Sequence, residues 1–305
     1  MLLCSMKTIK DVFADYRQGL NTLYDTNEIE AITLLAVSEI CNLSKAKIKA
    51  FPESELTQQQ ADKISETLTQ LKTGKPIQYI LGKTEFYGLT FKVNPSVLIP
   101  RPETEELVEW VLSSVGSSQF AVDSSQLAVR SGQLAVGNIL DIGTGSGCIA
   151  ISLKKNLSQF NVLAIDISKD ALQTAKDNAE LNQVDVEFIE ADILNPNSLL
   201  TTHYSLLISN PPYVTQRDKT QMHTNVTDFE PHNALFVPEG DPLIFYKAIA
   251  DFAAGHLIEN GLLFFEINEN YGEQIIELLS KKGFGEIELR KDMSGRDRMV
   301  KAVCS

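Results

Sequence analysis

From Lys7 to about residue 82 the apolar positions recur at helical spacing, in three groups: Ile9, Val12, Phe13 and Tyr16; Ile29, Ile32, Leu35, Ala36 and Ile40; Ile64, Leu68 and Leu71. This periodicity predicts a small helical bundle. Asp25, Ser44 and Thr57 stand where N-caps are needed, and Gly74 followed by Pro76 marks a helix end. Between Glu85 and Ile99 the pattern changes to Phe86, Tyr87, Gly88, Leu89, Phe91 and Val93, the composition of a hairpin turning at a glycine. Pro100 to Val115 reads as a capped helix with Pro102 and Glu103 in its first turn.

Beyond Gly137 the chain alternates strand and helix patterns. Strands are expected at Asn138–Ile142, Asn161–Ile165, Val184–Ile189, Ser205–Ile208, Leu262–Ile267, Glu286–Arg290 and Met299–Val303. Helical patterns separate the first five, which predicts a parallel sheet with helices on both faces. The last two strands are joined by the short Met293–Arg298 connection and are expected to form an antiparallel hairpin. The expected organisation is a helical domain over 1–82, a hairpin linker over 83–99 and an α/β domain over 100–305. Within the last, residues 116–137 contain three copies of one seven-residue unit, Ser117–Asp123, Ser124–Arg130 and Ser131–Gly137. Their apolar residues are adjacent rather than heptad-spaced, so a coiled coil is not expected, and the Ser and Gln content predicts a mobile surface insertion.

Composition narrows the function. The 305 residues carry 27 Lys and Arg against 40 Asp and Glu, a net charge of −13. With 10 basic and 11 acidic residues in 1–90, nearly all of that excess lies further on. A chain so acidic is not built to hold nucleic acid, because affinity for phosphates is supplied largely by Lys and Arg. No apolar run approaches the roughly 18 residues of a membrane span, and Met1–Lys7 lacks the basic and apolar regions of a secretory signal. Four cysteines (Cys4, Cys41, Cys148, Cys304) without a C-x-x-C pair and four histidines without metal-ligand spacing predict reduced thiols, a cytoplasmic location and no metal site.

The chemistry begins where the Asn138–Ile142 strand runs into Gly143-Thr144-Gly145-Ser146-Gly147 and then an apolar helix. Such a turn brings bare backbone close to a ligand at a helix N-terminus. Asp166 ends the next strand, where a carboxylate can accept from a ribose diol. These features predict a nucleoside cofactor. The loop alone leaves NAD and S-adenosylmethionine open, since Gly145-Ser-Gly147-Cys-Ile-Ala150 also fits the dinucleotide pattern with an acid about 20 residues on. Asp192 and Ile193 follow the third strand, where adenine is expected to reach. An Asp there equally suits a solvated loop.

Leu206–Ser209 leads into Asn210-Pro211-Pro212-Tyr213. Prolines donate no N–H and fix φ, so the carbonyls of Asn210 and Pro211 are held as acceptors without local partners. A planar NH2 group fits them, donating to the Asn210 side-chain oxygen and the Pro211 carbonyl while Tyr213 stacks on its face. The arrangement suits methylation of an amide or aromatic amine, whose delocalised lone pair becomes available when its hydrogens are drawn out of plane. Acceptors placed so also stabilise the positive charge that develops on nitrogen.

Leu98-Ile-Pro-Arg-Pro-Glu-Thr-Glu105, Asp141-Ile-Gly-Thr-Gly-Ser-Gly147 and Asn210-Pro-Pro-Tyr213, behind a helical front end and a hairpin, together resemble the peptide chain release factor glutamine N5-methyltransferases, the HemK or PrmC family. The resemblance covers essentially the whole chain except the repeats. It implies a class I S-adenosylmethionine-dependent methyltransferase fold, with a Rossmann-like seven-stranded sheet ending in an antiparallel hairpin, and transfer of methyl to the Gln of the Gly-Gly-Gln motif in class I release factors. Gly143 to Gly147 would line the methionine and ribose end of the cofactor, Asp166 would hold the ribose hydroxyls, and Asp192 with Ile193 would border the adenine. Asn210, Pro211 and Tyr213 would be catalytic. These three with Pro212 would clamp the glutamine, and Arg101 and Glu103 would lie near the cofactor's open side. The same clamp serves adenine-N6 DNA methyltransferases and some ribosomal-RNA guanine methyltransferases, which the acidic charge disfavours. A ribosomal-protein glutamine methyltransferase is the nearest rival, and a binding module without catalysis would leave the glycine loop unexplained.

Overall fold

The structure is a computed structural model that describes residues 6–117, 137–196, 202–220 and 222–305. The seven-residue repeats fall on 117–137 and so lie almost wholly outside the described residues. The chain forms two compact units, one of Met1–Lys83 with His223–Phe229, the other of Thr84–Met222 with Glu230–Ser305.

In the first unit, helices α1 (Ile9–Leu20), α2 (Thr26–Cys41), α3 (Lys45–Ala50), α4 (Gln58–Leu71) and α5 (Ile77–Leu81) close around Ile9, Val12, Tyr16, Ile29, Ile64 and Leu68. Asp25, Ser44 and Thr57 all cap helices through their side-chain oxygens, satisfying N–H groups that have no partner within the helix. Tyr16 is fully buried and donates its hydroxyl to the Ile64 carbonyl at 3.0 Å, so its polar end is satisfied. Gly74 ends α4 in the left-handed region, φ +87°, while Pro76 initiates α5, a short helix the sequence pattern did not reveal. The remote segment His223–Phe229 completes the unit, and a Cβ built on Gly74 would stand 3.6 Å from the Phe229 ring.

The second unit opens with strands β1 (Lys83–Phe86) and β2 (Leu89–Lys92), joined by Tyr87 and Gly88, both at positive φ. Two such residues form the hairpin turn whose twist matches the strands. Tyr87 is held there by its N–H donating to Glu105 (2.9 Å) and its hydroxyl donating to Glu109. β2 is fastened to the body of its unit: Lys92 N–H donates to Asn178 Oδ1 at 2.7 Å and Asn178 Nδ2 donates back to the Lys92 carbonyl at 3.0 Å.

Next come α6 (Pro102–Ser117), β3 (Asn138–Ile142), α7 (Cys148–Asn156), β4 (Asn161–Asp166), α8 (Lys169–Asn182), β5 (Glu187–Glu190) and β6 (Tyr204–Ser209). After these follow, in chain order, α9 (Gln216–Lys219), α10 (Thr224–Phe229, part of the first unit), α11 (His232–Leu235), α12 (Ile244–His256), β7 (Leu257–Glu266), α13 (Gly272–Lys281), β8 (Phe284–Lys291) and β9 (Asp297–Cys304). The seven strands form one sheet in the order β5-β4-β3-β6-β7-β9-β8, parallel through β7 and antiparallel at β7-β9 and β9-β8. Alternate residues face opposite sides. Ile139, Leu206, Ile208 and Phe264 pack under α6 and α7, while Leu140, Leu207, Leu263 and Phe265 pack under α12 and α13. Burial on both faces explains why these strands read as unbroken apolar runs.

Three expectations shift, the first being that the fifth strand begins at Leu257 rather than Leu262 and ends at Glu266. The third strand begins at Glu187 rather than Val184, because the Val184 N–H turns back to the Ala179 carbonyl at 3.1 Å and closes the end of α8. The helical pattern expected between β5 and β6 is absent from the described residues there, of which 193–195 form only a turn. The extra helices α9–α11 lie instead between β6 and α12.

Candidate active site

Strand order reverses between β3 and β6, and at such a point the two crossovers diverge and leave a crevice at the carboxyl ends of the strands. A cleft enclosing about 1020 Å³, counted out to its solvent mouth, lies there. It is lined by Ile142, Gly143 and Gly145 after β3, Ile165 and Asp166 at the end of β4, Asp192 and Ile193 after β5, and Ser209, Asn210, Pro211 and Pro212 after β6. Ser96–Leu98, Asn233, Ala234, Phe245 and Ile249 supply the rest of the wall.

Gly143 and Gly145 have φ of +76° and +56°, and a Cβ built on either meets nothing within 4 Å. Their missing side chains leave open a cradle on the cleft that any other residue would fill. The loop is tied down from beneath: Gly143 and Thr144 N–H both donate to the Ile165 carbonyl, at 2.9 and 3.0 Å. Asp166 holds the loop as well, accepting from Gly145 N–H and from Ser168 N–H, each at 2.9 Å. Every carboxylate oxygen keeps a lone pair after these bonds, so Asp166 can still accept from a diol in the cleft. Burial pushes its pKa up against the lowering effect of those backbone bonds. Asp192 has one oxygen bound to the Leu194 N–H at 2.9 Å and borders the cleft beside the buried Ile193.

Three expected cofactor residues sit elsewhere. Thr144, Ser146 and Gly147 are buried and do not line the cleft: Thr144 turns beneath the loop, and Ser146 and Gly147 already belong to the packed start of α7. Thr144 donates its hydroxyl to Asp141 Oδ2 at 2.6 Å, and the Ser146 carbonyl accepts from Asn178 at 2.9 Å. Gly147 (φ +81°) allows close packing: a Cβ there would meet Ile151 at 2.9 Å and Ala175 of α8 at 3.1 Å. Asp141 is wholly buried, burial pushes its pKa up to about 7, and its Oδ1 has no hydrogen-bond partner. The bare backbone at Gly143 and Gly145, with Asp166 beside it, is what fits a polar nucleoside group in the cleft.

A second cavity adjoins the first at Leu98, Asn210, Pro211 and Ala234, which line both. Its other walls include Leu98, Arg101, Tyr213, Glu266, Asn268 and Arg298. Among the described residues the Asn210 side-chain oxygen and the Pro211 carbonyl accept no hydrogen bond; the prolines bear on the backbone carbonyls alone, and the side-chain oxygen is left open by the turn of its carboxamide. The Asn210 Nδ2 donates to Thr104 Oγ1 at 3.2 Å, Thr104 donates to Glu266 Oε2 at 2.6 Å, and the Tyr213 hydroxyl donates to Glu266 Oε1 at 3.0 Å. Burial pushes the Glu266 pKa up, while the two hydroxyls and Arg298 pull it back. Burial and the neighbouring Glu266 push the Tyr213 phenol far up, so it stays protonated and is no general base. Asn268 donates to the Tyr213 carbonyl (3.2 Å) and to Asp218 Oδ2 (2.9 Å), fixing the chain that leaves the clamp.

Arg101 lines the second cavity and pairs with the buried Glu230 at 2.5 Å; Glu230 also accepts from the Ile99 N–H at 3.3 Å. Glu103 lines neither cavity. Its neighbour Thr104 instead faces inward, since one step around the first turn of α6 points a side chain at β7 rather than away from it. The sequence reading missed Thr104, Glu230, Glu266 and Asn268. A charged residue closing the apolar run Leu262–Phe265 was the one local signal for Glu266.

Among the described residues no helix is long and apolar enough to cross a membrane, and no group of three His, Cys, Asp or Glu side chains is placed to hold a metal.

A family model described as PrmC N-terminal domain matches residues 12–82, and one described as Methyltransferase small domain matches residues 117–241. The chain is 44% identical over 293 residues to the release factor glutamine methyltransferase of Flavobacterium psychrophilum, covering 96% of this chain and 98% of that one. It is 38% identical to the protein of the same name from Bacteroides thetaiotaomicron, covering 95% and 98%. Among solved structures, the hMettl16 catalytic domain in complex with MAT2A 3'UTR hairpin 6 shares the fold, with a TM-score of 0.51 at 18% identity over 81% of each chain. Near-complete coverage at such identity, over both the helical and the α/β portions, shows that the chain belongs to the release factor glutamine methyltransferase family.

Proposed function

We propose that this protein transfers a methyl group from S-adenosylmethionine to the side-chain amide nitrogen of the Gly-Gly-Gln glutamine in class I release factors. What supports the reading is the seam between the two cavities, which Leu98, Asn210, Pro211 and Ala234 share and where Asn210 and Pro211 offer two open acceptors. Gly143, Gly145, Asp166, Asp192 and Ile193 would hold the cofactor; bound there, S-adenosylmethionine supplies an electrophilic sulfonium methyl. The chain's own work is done at the substrate nitrogen. Asn210 Oδ1 and the Pro211 carbonyl take its two hydrogens, favour a pyramidal nitrogen with an available lone pair, and stabilise the positive charge that builds there. Once methylated, the nitrogen is acidic enough to lose a proton to water. Tyr213, its hydroxyl fixed on Glu266, presents an immobile ring beside the clamp.

The 1–82 portion, matched by the PrmC N-terminal domain model, is assigned recognition of a second region of the protein substrate. The acidic remainder suits a basic protein surface rather than nucleic acid or membrane, consistent with a cytoplasmic enzyme. Incubation with labelled S-adenosylmethionine and a class I release factor should label the Gly-Gly-Gln peptide and not a variant with Gln replaced. Labelling of a ribosomal protein in its place would select the rival substrate.

A further inference from the structure

Glu266 ends β7 and is only 1% exposed, directly after an apolar strand. Burying a carboxylate there is costly unless each oxygen is satisfied. Both are: Thr104 and Tyr213 each spend their hydroxyl hydrogen on it, at 2.6 and 3.0 Å. A carboxylate only accepts, so neither hydroxyl can face the other way. Thr104 has one hydrogen to give, and what it offers Asn210 at 3.2 Å is therefore a lone pair. Only the NH2 end of the Asn210 carboxamide complements a lone pair. The oxygen end is consequently turned away from Thr104, and Asn210 Oδ1 is the atom that meets no described partner. An asparagine by itself presents oxygen or NH2 with nearly the same shape, so its sense must be dictated from outside.

We propose that Glu266, acting through the Thr104 hydroxyl, fixes the Asn210 carboxamide as an acceptor and so makes the site select a side-chain amide over the isosteric carboxylate. Glu266 and Thr104 are positioning residues; neither is required to touch substrate. The inference rests on the reading that Asn210 Oδ1 takes an N–H of the substrate glutamine. In Glu266→Gln the new NH2 can donate to Thr104, whose hydroxyl then donates to Asn210 and turns its NH2 toward the cavity. A clamp so reversed repels amide hydrogens and welcomes a carboxylate. Thr104→Val removes the dictating group with little change of shape, whereas Thr104→Ser keeps it.

The test compares a class I release factor with its Gly-Gly-Glu variant, as substrate and as competitor, alongside calorimetry with S-adenosylmethionine. The unaltered enzyme should bind the Gln form at least tenfold more tightly than the Glu form. Glu266→Gln and Thr104→Val should lower kcat on the Gln form at least 30-fold and bring the binding preference within threefold of unity or invert it. Cofactor affinity should stay within threefold, and Thr104→Ser should keep the original preference. Should Glu266→Gln not fold, the Val and Ser variants at Thr104 decide alone. Variants that lose turnover yet keep the tenfold preference, with the unaltered enzyme methylating the Gln form, overturn the relay only. An unaltered enzyme with no preference between the two forms overturns the clamp reading, and the relay with it.

Discussion

On the proposed function Asp166 would serve binding and Asn210 chemistry, and substitutions should separate the two. Asn210→Ala removes one acceptor that matters most as charge develops, so kcat should fall by the equivalent of about 2.7–4 kcal/mol, while calorimetry shows cofactor affinity within a few-fold. Near-normal turnover would sink the assignment. Asp141 makes a different prediction. Its pKa is about 7 in the folded chain against 3.8 as the ordinary value, so between those limits the folded protein keeps a proton that the unfolded chain has lost. Stability must then fall as pH rises through that window, by at most roughly 1.4 kcal/mol per unit from this group. Denaturant titrations between pH 4 and 7 should show the slope reduced in Asp141→Asn. Single residues were legible where a motif fixed both identity and facing, as at Gly143, Gly145, Asp166 and Asn210. Thr144 and Ser146 were misplaced because the motif does not say which residues of a turn face inward. Thr104 and Glu266 were out of reach, being 162 positions apart and joined only by the fold.

The glycine loop and the helix it starts show why one motif carries two kinds of constraint. Gly145 faces open space and Gly147 faces Ile151 and Ala175. Alanine at either position strains a left-handed backbone by about 1 kcal/mol, but the second cost differs. Gly145→Ala should weaken S-adenosylmethionine binding with a modest loss of melting temperature. Gly147→Ala should lower the melting temperature more, by forcing α7 away from α8. If thermal denaturation ranked them the other way, the facing assigned to the loop would be wrong. Elements were legible in proportion to their burial. β3, β4 and β6 announced themselves as apolar runs because helices cover both faces, while the start of β5 was blurred by Val184, an apolar residue spent on ending α8. The short helices α9–α11 have no long apolar face, and no periodicity could disclose them.

At the scale of the whole molecule, the hydrophobic period changes near residue 82, close to where the first compact unit's N-terminal stretch ends at Lys83, but nothing in that change of period marks His223–Phe229 as part of the same unit. Thr215, Asp218 and Asn268 hold the start of the segment after Tyr213, and the Glu230 pairing with Arg101 anchors its return. Between these anchors His223–Phe229 belongs to the helical unit. Phe229→Ala should therefore raise amide hydrogen exchange around Gly74 and the end of α4 while leaving exchange in the glycine loop unchanged. Equal exchange around Gly74 in both proteins would show that the Phe229 ring does not brace the end of α4. A chain made from its N-terminus releases residues 1–83 first, yet the last piece of that unit arrives only after residues 84–222 have been synthesised. The bundle made first therefore waits for a piece that arrives with the second unit's chain, and its completion is tied to the synthesis of a unit to which most of its own residues do not belong.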